Sequence, residues 1–432
     1  MPERWYTVFV INQPLGGLMD YYSMTATAQI ISILRRTYKK GLISSGFGSL
    51  SLRDSSGNIW ITPANSDNGR LEECDIMMRD TDGSIYGKHE LPADAEAHFE
   101  IYRRRGDIGG IIFADPPRII GQALSGSLPD TMIFPQCEMR CGTVVGIPFD
   151  GRTDDPSFVL RLGDTFDDGV STVVCGTRGV FVAEKNLLDS FMALETIDLV
   201  ASVSESAMIL GTEPRKISAE HLAQYKLSVS LPLMEDLNRE VLPNEKEMRS
   251  VMCEYINRAY EAELFLDGNG ALSVRLGKDA FLITPSDKER DGIRPDDLVL
   301  IHRGKKEADS HPSNSAALHR RIYLENPYVK AVMIGHPKHT MAFGATSLLP
   351  EQRFHPEWSR AIGNLRLLPF GATVMQPGMF AEEITENDLA YIVENDCVIC
   401  MGGSLEETFA RSESVEKCAA AAITARILRG RS

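Results

Sequence analysis

The chain contains one long internal repeat. Matched positions recur at a nearly constant offset of 222 or 221 residues. Four such pairs are Ser51 and Ser273, Thr62 and Thr284, His98 and His319, and Asp115 and His336. An offset that changes by one position across this length indicates a tandem duplication. Because each copy is much longer than the repeat unit of a solenoid, we expect two similar globular domains.

The repeat divides the 432-residue chain into two domains and a connector. Residues 24–210 and 244–430 are the predicted domains, and residues 1–23 are an N-terminal extension with no assigned role. Residues 211–243 contain three prolines and are the predicted connector, with a helical piece near residues 219–227. A chain of this length exceeds the usual size of one hydrophobic core, which agrees with two domains.

Each copy is predicted to pass through the same order of elements. A helix is followed by a glycine-containing turn, a hairpin, a third strand, a second helix and a buried strand. The first helix begins near Thr25, and Asn244 with Glu247 predicts a capping box at its counterpart. This order predicts the α/β class, with two tandem α/β/α domains, each built on a central, mainly antiparallel sheet flanked by helices.

Two details of the second copy are predicted from local patterns. Its first helix has a predicted buried stripe made of Met248, Val251, Met252 and Tyr255. Before the closing helix, the first copy has two strand-like runs, at residues 171–175 and 179–182. The second copy shows a single short run in place of this pair, at residues 398–401.

The composition is that of an ordinary globular protein, with 43% hydrophobic and 24% charged residues. A net charge of −15 argues against nucleic acid or an anionic membrane as a partner, because both require clustered Lys and Arg. The N-terminal residues show no secretory signal pattern, and a cytoplasmic location is expected. The Cys397-x-x-Cys400 pair lies in a strand-like run, which favours core packing over a zinc or redox pair.

Five motifs recur in order in both copies and resemble the class II aldolase and adducin family. They are the glycine-containing turn before Ser-x-Arg, the Ile-Thr-Pro strand end, the His-x-x-Ile-Tyr helix, the strand ending in His-Pro (Asp-Pro in the first copy), and the closing Gly-x-Ser/Asn-Leu-x-(Glu/Asp) segment, which the first copy matches more loosely. The resemblance implies a zinc ion held by three His, two at a strand end and one in a loop. It also implies a carboxylate, four residues before the helix His, that transfers protons.

The first copy departs from this implied metal set. Asp94 stands at the acid–base position, while Phe113 and Asp115 stand at the two strand positions and Arg178 at the loop position. Phenylalanine cannot bind zinc, and arginine places a positive charge where the cation would lie. We therefore expect the first copy not to hold the family's metal.

The second copy keeps more of the set. His336 retains one strand position, Ile334 stands at the other, and Ser315 replaces the acid–base carboxylate. Asp396 falls at the loop position, and His339 could add a ligand if the chain turns into a helix there. His336, Asp396 and His339 are therefore a candidate site for a divalent metal such as zinc. The alternative is that the two histidines are surface or interface residues left from an ancestral site.

Other positions are assigned through the same resemblance. Ser49 and Thr62 in the first copy, and Thr284 and Ser286 in the second, correspond to substrate-binding positions. Asp287 adds a negative charge beside Ser286 that would repel a phosphate. The helix histidines, His98 and His319, are expected to hydrogen-bond the backbone inside the fold.

Two functional hypotheses follow. One is an aldolase/adducin-like protein that has lost the three-His zinc set in both halves and is not a sugar-phosphate aldolase of the family's usual kind. The other is a divergent, metal-dependent carbon–carbon lyase or isomerase of small sugar-like substrates, with its site around His336 and Asp396. The resemblance also implies a homo-oligomer whose sites lie between neighbouring domains. For a duplicated chain, it predicts a homodimer that forms a four-domain ring.

Overall fold

The computed structural model describes residues 21–149, 151–229, 234–237, 242, 244–286 and 288–430. Most of the predicted N-terminal extension, and Asp287, therefore lie outside the described residues. Among the described helices, none is both long and apolar enough to cross a membrane.

The first half forms a complete run of helices and strands. In chain order these are α1 (Ala26–Lys39), β1 (Ser49–Arg53), β2 (Ile59–Ile61), β3 (Met77–Arg79), β4 (Ile85–Tyr86), α2 (Ala95–Arg104), β5 (Gly110–Ala114), α3 (Pro117–Leu124), α4 (Pro135–Cys141), β6 (Val145–Ile147), α5 (Pro156–Asp167), β7 (Thr172–Cys175), β8 (Gly179–Glu184) and α6 (Leu187–Leu210). The connector then contributes one helix and one short strand, α7 (Ala219–Ser228) and β9 (Asp236–Leu237).

The second half repeats this run. Its elements are α8 (Glu245–Glu261), β10 (Ala271–Gly277), β11 (Ala280–Ile283), β12 (Val299–His302), β13 (Lys305–Glu307), α9 (Ala316–Glu325), β14 (Ala331–Gly335), α10 (Lys338–Thr346), α11 (Pro356–Ile362), β15 (Leu365–Leu368), α12 (Pro377–Glu383), β16 (Ala390–Val393), β17 (Val398–Gly402) and α13 (Leu405–Arg429).

The two sheets have the same topology. The first is ordered β4-β3-β2-β1-β5-β8-β7-β6, and the second β15-β16-β17-β14-β10-β11-β12-β13-β9. Read from the opposite edge, the second matches the first strand for strand and adds β9 beside β13. The neighbours are antiparallel except for β6–β7, β15–β16 and β13–β9. The predicted fold, two tandem α/β domains with mainly antiparallel sheets, is confirmed.

One predicted difference between the halves is wrong. The second half has both closing strands, since β16 pairs antiparallel with β17 as β7 does with β8. A tight turn joins β16 and β17, with Asn395 in the left-handed backbone region at φ 52°. The polar residues of that turn hide the short strand before them from a pattern-based reading.

The first helices of the two halves begin differently. Thr25 caps α1, and its hydroxyl accepts a hydrogen bond from the Ala28 N–H at 3.2 Å. The predicted capping box at α8 is wrong, because Asn244 has φ 61° and its side chain makes no cap hydrogen bond. Two helices at equivalent places in the repeat can therefore begin with different N-terminal caps.

The predicted stripe of α8 is also partly wrong. Met252 is buried, but the buried face continues through Arg249 and Ile256, whereas Met248 and Val251 are half-buried. The Arg249 side chain is held by hydrogen bonds to carboxylates and backbone carbonyls. A buried, fully bonded arginine rotates the inward face away from the one that hydrophobicity alone predicts.

Residues of both halves form one of the protein's hydrophobic clusters. Helix α6 of the first half packs against α10 of the second, and α13 also contacts α6. Residues from both halves meet in this cluster, among them Ile133, Phe134, Leu210, Met341 and Phe343. A buried ion pair between Arg36 and Asp267 joins the halves beside this cluster. The second half's cleft is consequently closed by residues of the first.

Candidate functional site

A cavity of about 260 Å³ lies where β14 ends in the second half. The second half supplies its floor through the turn before β10, the start of α9 and the turn after β16. The first half and the connector supply the facing wall through α4 and α7. The polar side chains on its lining include Gln136, Tyr225, Ser286, Ser313, Ser315, His336, Thr373 and Asp396.

His336 is held rigidly at the end of β14. Its N–H donates to the carbonyl of Leu264 at 3.1 Å. A Cβ on the preceding Gly335 would lie 2.4 Å from that carbonyl oxygen, so only glycine allows this close approach. His336 is 7% exposed, and neither nitrogen of its ring has a hydrogen-bond partner among the described residues. Burial lowers the pKa of His336 to about 4, so the ring is neutral near pH 7.

Asp396 lies in the turn between β16 and β17. Its Oδ1 accepts hydrogen bonds from Gln136 Nε2 at 2.5 Å and from the Tyr225 hydroxyl at 3.0 Å. Its Oδ2 accepts one from the Thr373 hydroxyl at 3.3 Å. Burial raises the pKa of the Asp396 carboxyl, and these three donors oppose that rise.

Sequence reasoning missed Gln136 and Tyr225. Gln136 belongs to the first half and Tyr225 to the connector, and neither lies in a motif. The Gln136 side chain spans the boundary between the halves, and its Oε1 is buried without a partner among the described residues. The resemblance implied sites between neighbouring domains, and the polar first-copy positions of the implied set are Asp94, Asp115 and Arg178. None of these three is on the cavity lining.

The substrate-binding positions of the second half divide into two kinds. Ser286 lies on the cavity, with its N–H donating to the His311 carbonyl at 2.9 Å. Thr284 is fully buried, and its hydroxyl accepts from the Leu272 N–H at 3.3 Å. Thr284 therefore holds the hairpin together, and Ser286 is the residue placed to meet a ligand.

The turn before β10 is fixed by a buried arginine. Arg290 donates to the carbonyl of Gly270 from both Nε and Nη2, at 3.1 and 2.9 Å, and to the Pro285 carbonyl at 3.0 Å. Gly270 has φ 109°, and a Cβ there would lie 2.3 Å from the Phe265 ring. Arg290 lines the cavity, and its guanidinium donates to backbone carbonyls that shape the turn.

His339 lies apart from this arrangement. Its Nδ1 pairs with Glu416 Oε1 at 2.6 Å, and Glu416 also accepts from the Thr340 N–H at 2.9 Å. The equivalent residues of the first half are Arg118 and Asp198, which form an ion pair at 3.1 Å. Because this contact between two helices is kept in both halves, His339 is accounted for by packing of α10 on α13.

These positions do not fit the family's zinc set. Ile334 has no donor atom, and both oxygens of Asp396 already accept hydrogen bonds. Within the described ranges, no group of three or more His, Cys, Asp or Glu side chains is arranged to hold a metal ion. Of the predicted set, His336 lines the cavity and has both ring nitrogens without a hydrogen-bond partner among the described residues.

In the first half, Asp94 belongs to a buried network. The Ser49 hydroxyl donates to Asp94 Oδ2 and lies 2.9 Å from His98 Nε2. On the other side of the ring, His98 Nδ1 lies 2.7 Å from the Ser51 hydroxyl. The prediction that His98 bonds the backbone is wrong, because its partners are serine hydroxyls. Ser49 and Asp94 thus serve the interior rather than an open site.

His319 repeats half of this network. Its Nδ1 lies 2.6 Å from the Ser273 hydroxyl, which in turn lies 2.6 Å from the Tyr323 hydroxyl. Ala271 stands where the first half has Ser49, and the buried Nε2 of His319 has no partner in the described part of the chain. Here too, the expected backbone hydrogen bond is replaced by a serine.

The other first-half positions of the implied set and of the substrate-binding group have roles of a different kind. Phe113 stacks on Phe181 with ring centroids 4.2 Å apart. Asp115 accepts hydrogen bonds from the N–H and the hydroxyl of Ser44, each at 3.0 Å. Thr62, like Thr284, is buried and accepts from a backbone N–H of the neighbouring strand, at 3.1 Å. Arg178 is exposed at the surface of its turn.

Comparison with known families decides the classification. The sequence profile of the family described as "Class II Aldolase and Adducin N-terminal domain" matches residues 28–204 and again residues 250–423. The chain belongs to this family. The two matches together cover most of the chain, and each corresponds to one copy of the repeat.

Each of two curated relatives aligns with a segment of this chain that is about as long as one of its halves. A relative from Methanocaldococcus jannaschii named "L-fuculose phosphate aldolase" is 34% identical over 179 residues, which is 41% of this chain and 93% of the relative. A relative from Haemophilus influenzae named "3-oxo-tetronate 4-phosphate decarboxylase" is 26% identical over 181 residues, 40% of this chain and 84% of the relative.

Solved structures show the same coverage. The "putative aldolase/epimerase/decarboxylase" YgbL from Escherichia coli aligns with a TM-score of 0.42 and 21% identity, over 46% of this chain and 96% of its own. An "L-fuculose 1-phosphate aldolase" aligns with a TM-score of 0.40 and 20% identity, over 46% of this chain and 93% of its own.

Proposed function

We propose that this class II aldolase-family protein binds one small polyhydroxylated carbonyl compound in the cavity of its second half. The supporting observation is the set of unengaged buried atoms around that cavity, namely both ring nitrogens of His336 and Oε1 of Gln136. Unpaired buried polar atoms are costly, and a ligand with several hydroxyl groups would satisfy them. The names of the two curated relatives also describe compounds of this chemical class.

We propose that the protein does not catalyse the family's zinc-dependent cleavage of sugar phosphates. That reaction needs a metal to polarise the substrate and a carboxylate to move protons. The carboxylate position is Ser315, one metal position is Ile334, and Asp396 is held by three neutral donors from neighbouring elements. In the first half, the strand position that corresponds to a metal ligand is Phe113, a buried ring that stacks on Phe181 and has no donor atom.

Ligand binding tests the first proposal. The purified protein should be titrated calorimetrically with a panel of ketoses, aldoses and sugar acids, each with and without a phosphate group. His336→Gln and Ser286→Ala should weaken binding by about tenfold each, since each removes or alters one polar contact. Arg70→Ala, at an exposed first-half residue, is the matched control and should bind as the wild type does. If no member of the panel binds, or if all variants bind equally, this proposal fails.

A divergent metal-dependent lyase or isomerase is the second candidate. It is favoured by the free donor atoms of His336, which would leave the remaining coordination positions to the substrate and water. Metal analysis of protein purified without a His tag decides this candidate. Less than about one-tenth of an equivalent of any divalent metal, unchanged in His336→Ala, would refute it.

We further propose a homodimer in which four domains close a ring. The two halves of the chain contact each other through different faces. When a contact of this kind is repeated between chains, it produces either a closed ring or an open filament. Two chains supply four domains. Light scattering that gives the mass of a single chain would remove this proposal and leave the ligand site unaffected.

A further inference from the structure

The contact between the two halves is a contact between two copies of one fold. The first half uses α4 and α6, and the second half uses α10 and the turn after β16. The two copies contribute different faces to this contact. The face of the first half that corresponds to α10 and the turn after β16 is therefore not used within the chain, and neither is the face of the second half that corresponds to α4 and α6.

The unused face of the second half includes α11. Helix α11 is the counterpart of α4: each begins with a proline, and each ends at a glycine with positive φ, Gly142 at 58° and Gly363 at 70°. Just before α4, Ile133 is 1% exposed because the second half covers it. Its counterpart before α11, Phe354, is 49% exposed. An apolar residue of this size at an equivalent place indicates that another domain covers it.

Two further pairs show the same asymmetry. Leu210, at the end of α6, is 7% exposed, whereas its counterpart Leu428 in α13 is 63% exposed. Ala345 in α10 is completely buried, whereas its counterpart Leu124 in α3 is 71% exposed. The first pair belongs to the face that contains α11, and the second belongs to the opposite face on the first half. Each unused face therefore exposes an apolar side chain at a position whose counterpart is buried in the contact between the halves.

The charges at the centre of the contact are also matched. Within the chain, Gln136 of α4 reaches Asp396 in the turn after β16. The counterpart of Gln136 is Glu357, and the counterpart of Asp396 is Arg178. The two turns have the same shape, since Arg178 N–H donates to a strand carbonyl at 3.0 Å and Asp396 N–H to the equivalent one at 3.2 Å. On the unused faces, the contact between an amide and a carboxylate is therefore replaced by a possible ion pair between the negative Glu357 and the positive Arg178.

We propose that a second copy of this chain docks its α11 against the first-half cleft, so that Glu357 of the partner subunit pairs with Arg178. Both side chains are exposed within one chain. The docking repeats the geometry of the contact between the halves, and two such contacts related by a two-fold axis close the ring of four domains. This inference rests on the proposed dimer and adds the surface and the pair that define it.

Charge reversal tests the pair. Arg178→Glu and Glu357→Arg should each raise the dissociation constant of the dimer at least about tenfold, because each places like charges together twice per ring. The two single variants, mixed in equal amounts, should recover a dimer, since one contact then has the reversed pair and the other the original pair. Arg70→Glu, a charge reversal at an exposed side chain outside this surface, should leave the dimer intact. The dissociation constant is measured by sedimentation velocity at moderate salt.

The outcomes separate the claims. A dimer whose dissociation constant is unaffected by either reversal, or single variants that do not recover on mixing, would overturn the Arg178–Glu357 contact while the dimer stands. A monomer at all concentrations would overturn both. Assemblies that grow steadily with concentration would show an open chain of contacts instead of a ring. Glu357→Arg should bind ligand in the second-half cavity as the wild type does, so failure here is distinguishable from failure of the proposed function.

Discussion

The duplication supplies its own control for a buried hydrogen bond. In the first half, His98 is bonded on both ring nitrogens, to Ser49 and Ser51. In the second half, His319 is bonded only through Nδ1, because Ala271 replaces the first of the two serines. We therefore predict that Ser49→Ala destabilises the protein and that Ala271→Ser stabilises it.

The magnitudes follow from what each change leaves unpaired. Ser49→Ala strips a donor from the buried Asp94 carboxylate and a partner from His98 Nε2, which should cost about 3 kcal/mol. Ala271→Ser adds one hydroxyl beside the unpartnered Nε2 of His319, at a position that borders the cavity and has room for it. It should contribute about 1 kcal/mol.

Thermal unfolding followed by calorimetry measures both changes. For a domain of this size, about 1 kcal/mol corresponds to a shift in Tm of about 2–4 °C. Ser51→Ala and Ser273→Ala form the matched controls, since each removes the same bond to a histidine Nδ1 and a tyrosine hydroxyl. They should lower Tm by similar amounts. The reasoning is refuted if Ser49→Ala is neutral, or if Ala271→Ser lowers Tm.

Three further predictions concern pH and the turns around the cavity. Burial lowers the pKa of His319 to about 3 and of His336 to about 4, so the unfolded chain binds more protons below pH 6.5, and stability should fall as the pH is lowered from 6.5 toward 4. His336→Gln should reduce the slope of the urea midpoint against pH, and an unchanged slope would contradict this cause. Gly270→Ala should destabilise by more than about 1 kcal/mol in urea unfolding, whereas Gly277→Ala, which meets only ordinary contacts, should be near neutral. Gln136→Leu should weaken ligand binding without changing Tm by more than a few degrees, and unchanged calorimetric affinity would remove Gln136 from the site.

The fold was largely predictable because the duplication doubles every weak signal. A motif that is weak evidence when it occurs once becomes strong evidence when it recurs at the same offset, and this recurrence predicted the order of helices and strands along each half of the chain. The predictions that failed concern places where individual polar or charged residues depart from the hydrophobic pattern. The charged side chain of Arg249 lies inside the fold because it donates a hydrogen bond to a buried carboxylate there. The strand at 390–393 was missed because it is short and precedes a polar turn.

The site was predictable only where the chain's own motifs form it. His336 and Asp396 were expected near each other, and both line the cavity. Gln136 and Tyr225 could not be anticipated, because they reach the site through the packing of one half on the other. His339 illustrates the opposite error: a histidine close to a ligand position in sequence points instead to an acid on a neighbouring helix.

The wall that α4 and α7 build across the second half's cavity has a consequence for stoichiometry. In a ring of identical domains, every cleft would be walled in the same way and could bind one ligand each. Under the proposed function, the second half is the receptor and the first half its cover, since the buried Phe113 ring stacks on Phe181 at the equivalent place in the first half. A duplicated chain can divide labour in this manner, and the expected number of bound ligands is then one per chain rather than one per domain.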